Sequence, residues 1–567
     1  MPAQYPAIPH ELLDWTWAQF APIIADLKAA ALTEANIAEW LGEWSRLSEH
    51  LDELYSRLYV GTTVNTADED MQQRYNRFLD EIYPSASEAE QALKQKLLES
   101  GLEPAGFGIQ LRNLRAEAEL FRPANIPLMA DQQKFGSEYD KIVGSQTVEW
   151  EGKEITLPQL RPVLQSTDRG LREQAWRLSL SRQLEDRDSI NQLWQKLLGL
   201  RLQLAANAGE SDFRSFRWKQ LLRFEYTPAD CEQFHRAIEE VVVPAASRIY
   251  DRRKAQLNVT SLRPWDLDVD PLGRSPLKPF AETGELKRKA AAIFHNVDPQ
   301  IGAYFDQMLA ENLLDLDNRK NKAPGGYCIS FPASHRPFIF MNAVGLHQDV
   351  QTLLHEGGHS FHDFEAARLP YYSQRAYPAE FAEVASMGME LLASPYLTDG
   401  PDGFYSAADA ARAIIEHLES SITIWPYIAL VDAFQHWVYT HPTEASDPTA
   451  CDQCWTGLWQ RFMPGVDWSG LETEMATGWQ RKLHIIQVPF YYIEYGLAQL
   501  GAVQVWRNSL VDQKKAITQY LQALALGATR PLPELFQAAG ARLAFDTATL
   551  APAVELIENT IHQLEKL

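Results

Sequence analysis

The run His355-Glu356-Gly357-Gly358-His359, inside the longer HEGGHSFH, constrains this chain more than any other stretch. On a helix, residues four apart share a face, so the two imidazoles project side by side, one turn apart. That spacing lets both grip one metal ion and carries Glu356 to the edge of the same site. Neutral imidazoles with a carboxylate and an open fourth position are the donor set of a catalytic zinc site. Coincidence is a poor rival: 14 His in 567 residues give about 0.35 expected pairs at this spacing, and about 0.05 once an acid must follow the first. Val350, Leu353, Leu354 and Phe361 supply an apolar face on the same helix. Two adjacent glycines in a helix cost roughly 1 kcal/mol each relative to Ala, which points to close approach of something to the backbone.

Two His need a third protein ligand. A third His six residues after His359 would complete one known pattern, but that position is Glu365. The following run, PAEFAEVASMGMELL, holds Glu380, Glu383 and Glu390. Glu383 and Glu390 are seven apart, share a helix face and are flanked by small residues that admit another helix. Glu383 is therefore the expected ligand, with Glu390 accepting a hydrogen bond from a ligating His. Asp363, one turn after His359, is the rival for that supporting place.

Composition excludes several classes. A formal charge of -23 argues against a nucleic-acid partner, because a phosphate backbone demands surplus Lys and Arg. The most apolar run, Ile422 to Val431, contains Pro426 and is too short to cross a bilayer. The first twenty residues have neither a basic nor an apolar signal region. Four cysteines, with Cys451 and Cys454 as a lone CxxC, fit a reducing cytoplasm.

Along the chain, three regions are expected: a helical one over 1–120, a helical one with a small hairpin over 121–280, and a catalytic one over 281–567. In the first, Trp15, Phe20, Ile23, Ile24 and Leu27 suit one helix, and Ile37, Trp40, Leu41, Trp44 and Leu47 the next, with Thr33 as a candidate cap. Thr147 to Leu157 alternates around Glu151-Gly152 and reads as a hairpin. Helical spacing from Ser166 to about Ala208 ends at Gly209, where a left-handed cap belongs. Gly326–Phe331 and Pro337–Asn342 read as strands, and the His-bearing helix is expected to begin after Asp349. An edge strand there could pair with an extended peptide.

HEGGHSFH followed by FAEVAS resembles the oligoendopeptidase F and thimet oligopeptidase family of zinc peptidases. WEGKEITLPQL, LRLQLAANAG, VVVPAASRIYDRR, the GGYC and FIFMN strands, DVQTLLHE, and His484 with PFYYIEYG extend the likeness from about Thr147 to Ala544. Gly357 departs from it, since that slot in the family carries a larger apolar residue. The resemblance implies a mostly α fold: an elongated helical body with a deep channel around a small thermolysin-like zinc core with a short β-sheet. It implies hydrolysis of internal bonds in short unstructured peptides, with one zinc on His355, His359 and Glu383 and with Glu356 as general base. It also implies oxyanion donors from His484, Tyr495 and one of Tyr491 or Tyr492; Tyr492 is the expected second tyrosine. Taken without the likeness, the run 490–495 is an apolar, aromatic segment of the kind that fills a core. Two other functions compete: a dipeptidyl carboxypeptidase or other exopeptidase on the same scaffold, and a non-catalytic peptide-binding protein. The last has no use for Glu356.

Overall fold

Helices dominate the chain, as the apolar spacing predicts, and the sheets of the described residues are two small ones. The structure is a computed structural model and describes residues 5–6, 9–319, 321–323, 325–398 and 403–566. β1 (Thr147–Trp150) and β2 (Lys153–Thr156) form an antiparallel hairpin. β3 (Leu314–Asp317), β4 (Tyr327–Phe331) and β5 (Arg336–Ala343) form a sheet in the order β3-β5-β4. β3 runs parallel to β5 and β4 antiparallel to it, with Cys328 opposite Ile339. Two compact units result, each assembled from three stretches of chain: residues 1–118, 277–413 and 498–543 in one, and residues 119–276, 414–497 and 544–567 in the other.

In the first unit, the helix Trp17–Ala29 opens where the Thr16 N–H donates to the Gln19 side chain at 2.9 Å. The next helix, Ile37–Val64, buries Ile37, Trp40, Leu41, Trp44 and Leu47 along one stripe. Each such large apolar side chain is worth about 1.5–3 kcal/mol when fully buried. Thr33 is not its cap. The cap position belongs to Asn36, whose Oδ1 accepts from the Thr33 N–H and hydroxyl at 2.8 and 3.1 Å. Thr33 thus closes the turn before the helix instead of its first turn.

The motif helix runs His347–Ala366 and packs on β5. It begins three residues earlier than expected, because Asp349 lies within its first turn. The Asp349 carboxylate accepts from the N–H groups of Val344, Gly345 and Leu346 at 2.8, 2.8 and 2.9 Å, which ties the helix start to the end of the strand. The glutamate helix, Ala379–Ala393, packs against the motif helix. Here the paired glycines find their reason. A Cβ on Gly358 would lie 2.6 Å from both the Ala385 carbonyl oxygen and Ser386 Cα, so the two helices touch backbone to backbone. At Gly357 a Cβ would meet the buried ring of Phe294 at 2.7 Å. Phe294 thus fills the space beside Gly357.

In the second unit, the β1–β2 turn places Glu151 at φ 52° and Gly152 at φ 75°, the paired positive values of a type I′ hairpin. Helical spacing after Ser166 resolves into Arg169–Glu185 and Arg187–Ala208, broken at Asp186, and Gly209 ends the second at φ 82°. A buried ion pair, Arg223 Nη2 donating to Glu494 Oε1 at 2.7 Å, anchors the start of the helix Tyr492–Val511.

Gly358→Ala should disrupt the helix contact, at the roughly 1–3 kcal/mol typical of overpacking. A lowered melting temperature together with reduced metal retention is expected. An unchanged melting curve would show that the two helices can part without consequence.

Candidate metal centre

One turn of helix sets the first two donors: the His355 and His359 rings stand 5.0 Å apart, nearly perpendicular. The Gly358 contact brings the third. Glu383 Oε2 lies 3.4 Å from His355 Nε2 and 3.8 Å from His359 Nε2. A tetrahedral site with bonds of about 2.0–2.1 Å needs donor atoms a little over 3 Å apart, so this set fits a metal with only small adjustment. Ser386 donates to the same Glu383 oxygen at 2.9 Å and fixes its orientation.

Glu390 sits behind His355. A carboxylate only accepts, so the His355 Nδ1–H donates to Glu390 Oε1, at 2.7 Å. That leaves Nε2, the nitrogen that faces Glu383, as the one a metal would take in place of its proton. Burial works against a charged His355, yet its hydrogen bonds to Glu383 and Glu390 hold its pKa well above the usual value. Burial also disfavours ionised Glu383, but His355 and His359 bring its pKa down. His359 is pushed down to about 4, chiefly by burial, and is a neutral donor.

Glu356 is 9 % exposed. Burial, with added repulsion from Glu383, pushes its carboxyl up to about 7, against the opposing pull of His355. The Cys328 backbone N–H hydrogen-bonds its carboxylate, so edge strand β4 holds the group in place. A buried carboxylate titrating near neutrality suits proton transfer. Neither the Cys328 contact nor Ser386 stood out in the sequence; Ser386 could have been found as a hydroxyl three residues after the ligand.

Other acids fall elsewhere. Asp363 accepts from the Tyr377 hydroxyl at 2.7 Å and lines a cavity of about 190 Å³ with Asp52, Tyr372 and Arg375. Glu365 accepts from the Tyr304 hydroxyl at 2.7 Å. Glu380 is buried but is not one of the clustered donors among the described residues. A second cluster, Cys231, Asp432 and His436, also brings three donor atoms together. His436 Nδ1 there faces Arg214 at 3.4 Å, which favours a proton on Nε2, and Asp432 pairs with His235 at 2.8 Å. This is a buried hydrogen-bonded network. Cys451 and Cys454 form no disulfide, and burial raises the pKa of both thiols, that of Cys454 to about 12, which disfavours a thiolate at that CxxC.

The second unit gathers the remaining expected residues. His484 lies 4.9 Å from the Tyr492 ring, 6.0 Å from Tyr495 and 6.1 Å from Tyr491, centre to centre. Phe490, at φ 64°, is left-handed without being glycine, a conformation that costs roughly 1 kcal/mol. It is held by its N–H to Gln435 Oε1 at 2.6 Å and by Arg223 on its carbonyl at 2.5 Å. This strained turn swings the tyrosines towards His484, the kind of distortion that clusters at functional sites. Tyr492 is 6 % exposed, whereas Tyr491 and Tyr495 are half-buried with rings 5.4 Å apart.

A sequence model described as Peptidase family M3 matches residues 163–553, and one described as Peptidase M3 N-terminal domain matches residues 13–105. The chain is 22% identical over 332 residues to Oligopeptidase PepF of Bacillus subtilis (strain 168), covering 57% of this chain and 47% of that one. It is 26% identical over 337 residues to an Oligoendopeptidase F homolog of Lactococcus lactis subsp. lactis (strain IL1403), covering 57% and 53%. The chain thus spans about half the length of the curated relatives it matches. Among solved structures, PZ peptidase A with an inhibitor superposes with a TM-score of 0.87 at 27% identity, over 99% of this chain and 98% of that one. Oligoendopeptidase-F from Enterococcus faecium shares the fold at a TM-score of 0.63 and 17% identity, over 99% of each chain.

Glu383→Ala should release metal to a mild chelator far more readily than the parent protein does. Glu390→Ala should weaken retention roughly 10–100-fold, the usual effect of removing a partner that orients a ligand. Full metal stoichiometry in Glu383→Ala under chelation would remove Glu383 from the ligand set.

Proposed function

We propose that this chain, which belongs to peptidase family M3, is a cytoplasmic zinc-dependent endopeptidase acting on short, unstructured peptides. The observation that carries this reading is one group of donors, the half-buried His355 and His359 with the buried Glu383, beside a carboxylate whose pKa burial pushes up to about 7. The imidazole and carboxylate donors suit zinc. Bound there, zinc supplies Lewis acidity, polarising a carbonyl and easing ionisation of water.

The chain's own residues do the rest. Glu356 takes the proton of the attacking water and passes it to the leaving amine, so one carboxylate serves as base and then acid. The Cys328 N–H keeps that carboxylate at the end of β4, whose outer edge offers main-chain groups to an extended peptide. Recognition through backbone reads few side chains, so broad specificity follows. His484, Tyr495 and Tyr492 are assigned to the oxyanion by family resemblance. Tyr491, more accessible than Tyr492, is the alternative second donor. The cytoplasmic assignment is supported by the scarcity of cysteine and by the lack of a disulfide among the described residues.

Glu356→Gln should keep metal and melting temperature while turnover of an internally quenched peptide falls at least 10²–10⁴-fold, since Gln cannot accept the proton. Undiminished turnover would refute the mechanism. Products from peptides blocked at both ends separate internal cleavage from the exopeptidase alternative.

A further inference from the structure

Lys482 stands two residues before His484, in the same cluster. Its ammonium lies 4.2 Å from the centre of the Tyr492 ring and 5.1 Å from that of Tyr427. The side chain is half-buried, and no carboxylate pairs with it among the described residues. This is unusual in so acidic a chain, where 75 Asp and Glu surround 52 Lys and Arg. Other buried cations here reach oxygens: Arg223, Arg172 and Lys322 those of carboxylates, Arg201 and Arg481 those of hydroxyls and carbonyls. Burial lowers the Lys482 pKa to about 8, with no anion opposing the shift. An ammonium drawn out of water and resting on two aromatic faces is short of a counter-charge. The half-buried Tyr491 and Tyr495 beside it leave the cluster accessible.

We propose that Lys482 binds a carboxylate of the peptide substrate, making the His484–tyrosine cluster select peptides that carry an acidic group. The inference rests on the reading that gives His484 and Tyr495 to the reaction. The carboxylate has two sources, the peptide's own C-terminus and an Asp or Glu side chain. Lys482 neither gives nor takes a proton in this role. It holds the peptide, and its effect belongs in KM.

Three peptides of one sequence test this: a free C-terminal acid, the C-terminal amide, and an amide with Glu in place of the last residue. Each is cleaved by the parent protein, by Lys482→Met, which keeps an apolar stem over Tyr492, and by Lys482→Arg, which keeps the charge. The parent should favour at least one acidic peptide over the plain amide by on the order of tenfold in kcat/KM, mainly through KM. Lys482→Met should lose that preference, its kcat/KM on the acidic peptides falling to that on the plain amide, with an unchanged melting temperature. Lys482→Arg should retain it. A preference for the free acid alone identifies the terminus, and one for the Glu amide identifies the side chain. Equal cleavage of all three by the parent, or an equal loss on all three in Lys482→Met, overturns the proposal. A parent protein that cleaves none of them overturns the peptidase reading as well, and total loss of turnover distinguishes that result from a lost preference.

Discussion

Where Gly358 meets Ala385 and Ser386, two helices touch with no side chain between them. That contact sets how far Glu383 stands from the two imidazoles, and hence whether three donors can share one ion. A helix pair separated by ordinary side chains has axes 8–10 Å apart and would hold the carboxylate too far away. The seven-residue spacing from Glu383 to Glu390 then does two tasks on one face. The first carboxylate meets the Nε2 side of His355 and the second takes its Nδ1 proton. Strand β4 completes the arrangement from the other side through Cys328.

The electrostatics follow from packing three carboxylates and two imidazoles into one buried place. Like charges cannot all ionise there without compensation. The pKa of His355 rises on its hydrogen bonds to Glu383 and Glu390, and that of Glu356 rises chiefly through burial, with the Glu383 charge adding to it. A divalent cation would compensate the carboxylates more completely, and this is why the donor set makes chemical sense as a metal centre. The second unit carries the opposite imbalance on a smaller scale, in a lysine without an anion.

Features that depend on neighbours in the chain were legible in the sequence. The His pair four apart, the Glu151-Gly152 turn, strands β4 and β5 and the Gly209 cap all rest on spacings of a few residues. The glycine pair signalled a close approach but could not name what approached, because Phe294 and Ala385 come from other helices. Strand β3 is not legible in the sequence: four residues, LDLD, form a strand only by pairing in parallel with β5, which follows β4 in the chain. Thr33 and Asn36 are both good caps, and only the path of the turn decides between them. Nothing in the sequence distinguishes Lys482, since a lysine without an acid beside it is recognised only from its surroundings in the fold.

Each unit takes three separate stretches, and the last stretch of each lies beyond residue 497. During synthesis the motif helix and the glutamate helix leave the ribosome more than a hundred residues before the helix Gln513–Leu524, whose Tyr520 donates to the Ala385 carbonyl at 2.7 Å. Until then the back of the metal site lacks a wall. The second unit waits longer still, for residues 544–567. Nearly all of the chain must be made before either unit can close, so nascent forms expose apolar surface for much of translation and are natural clients for chaperones.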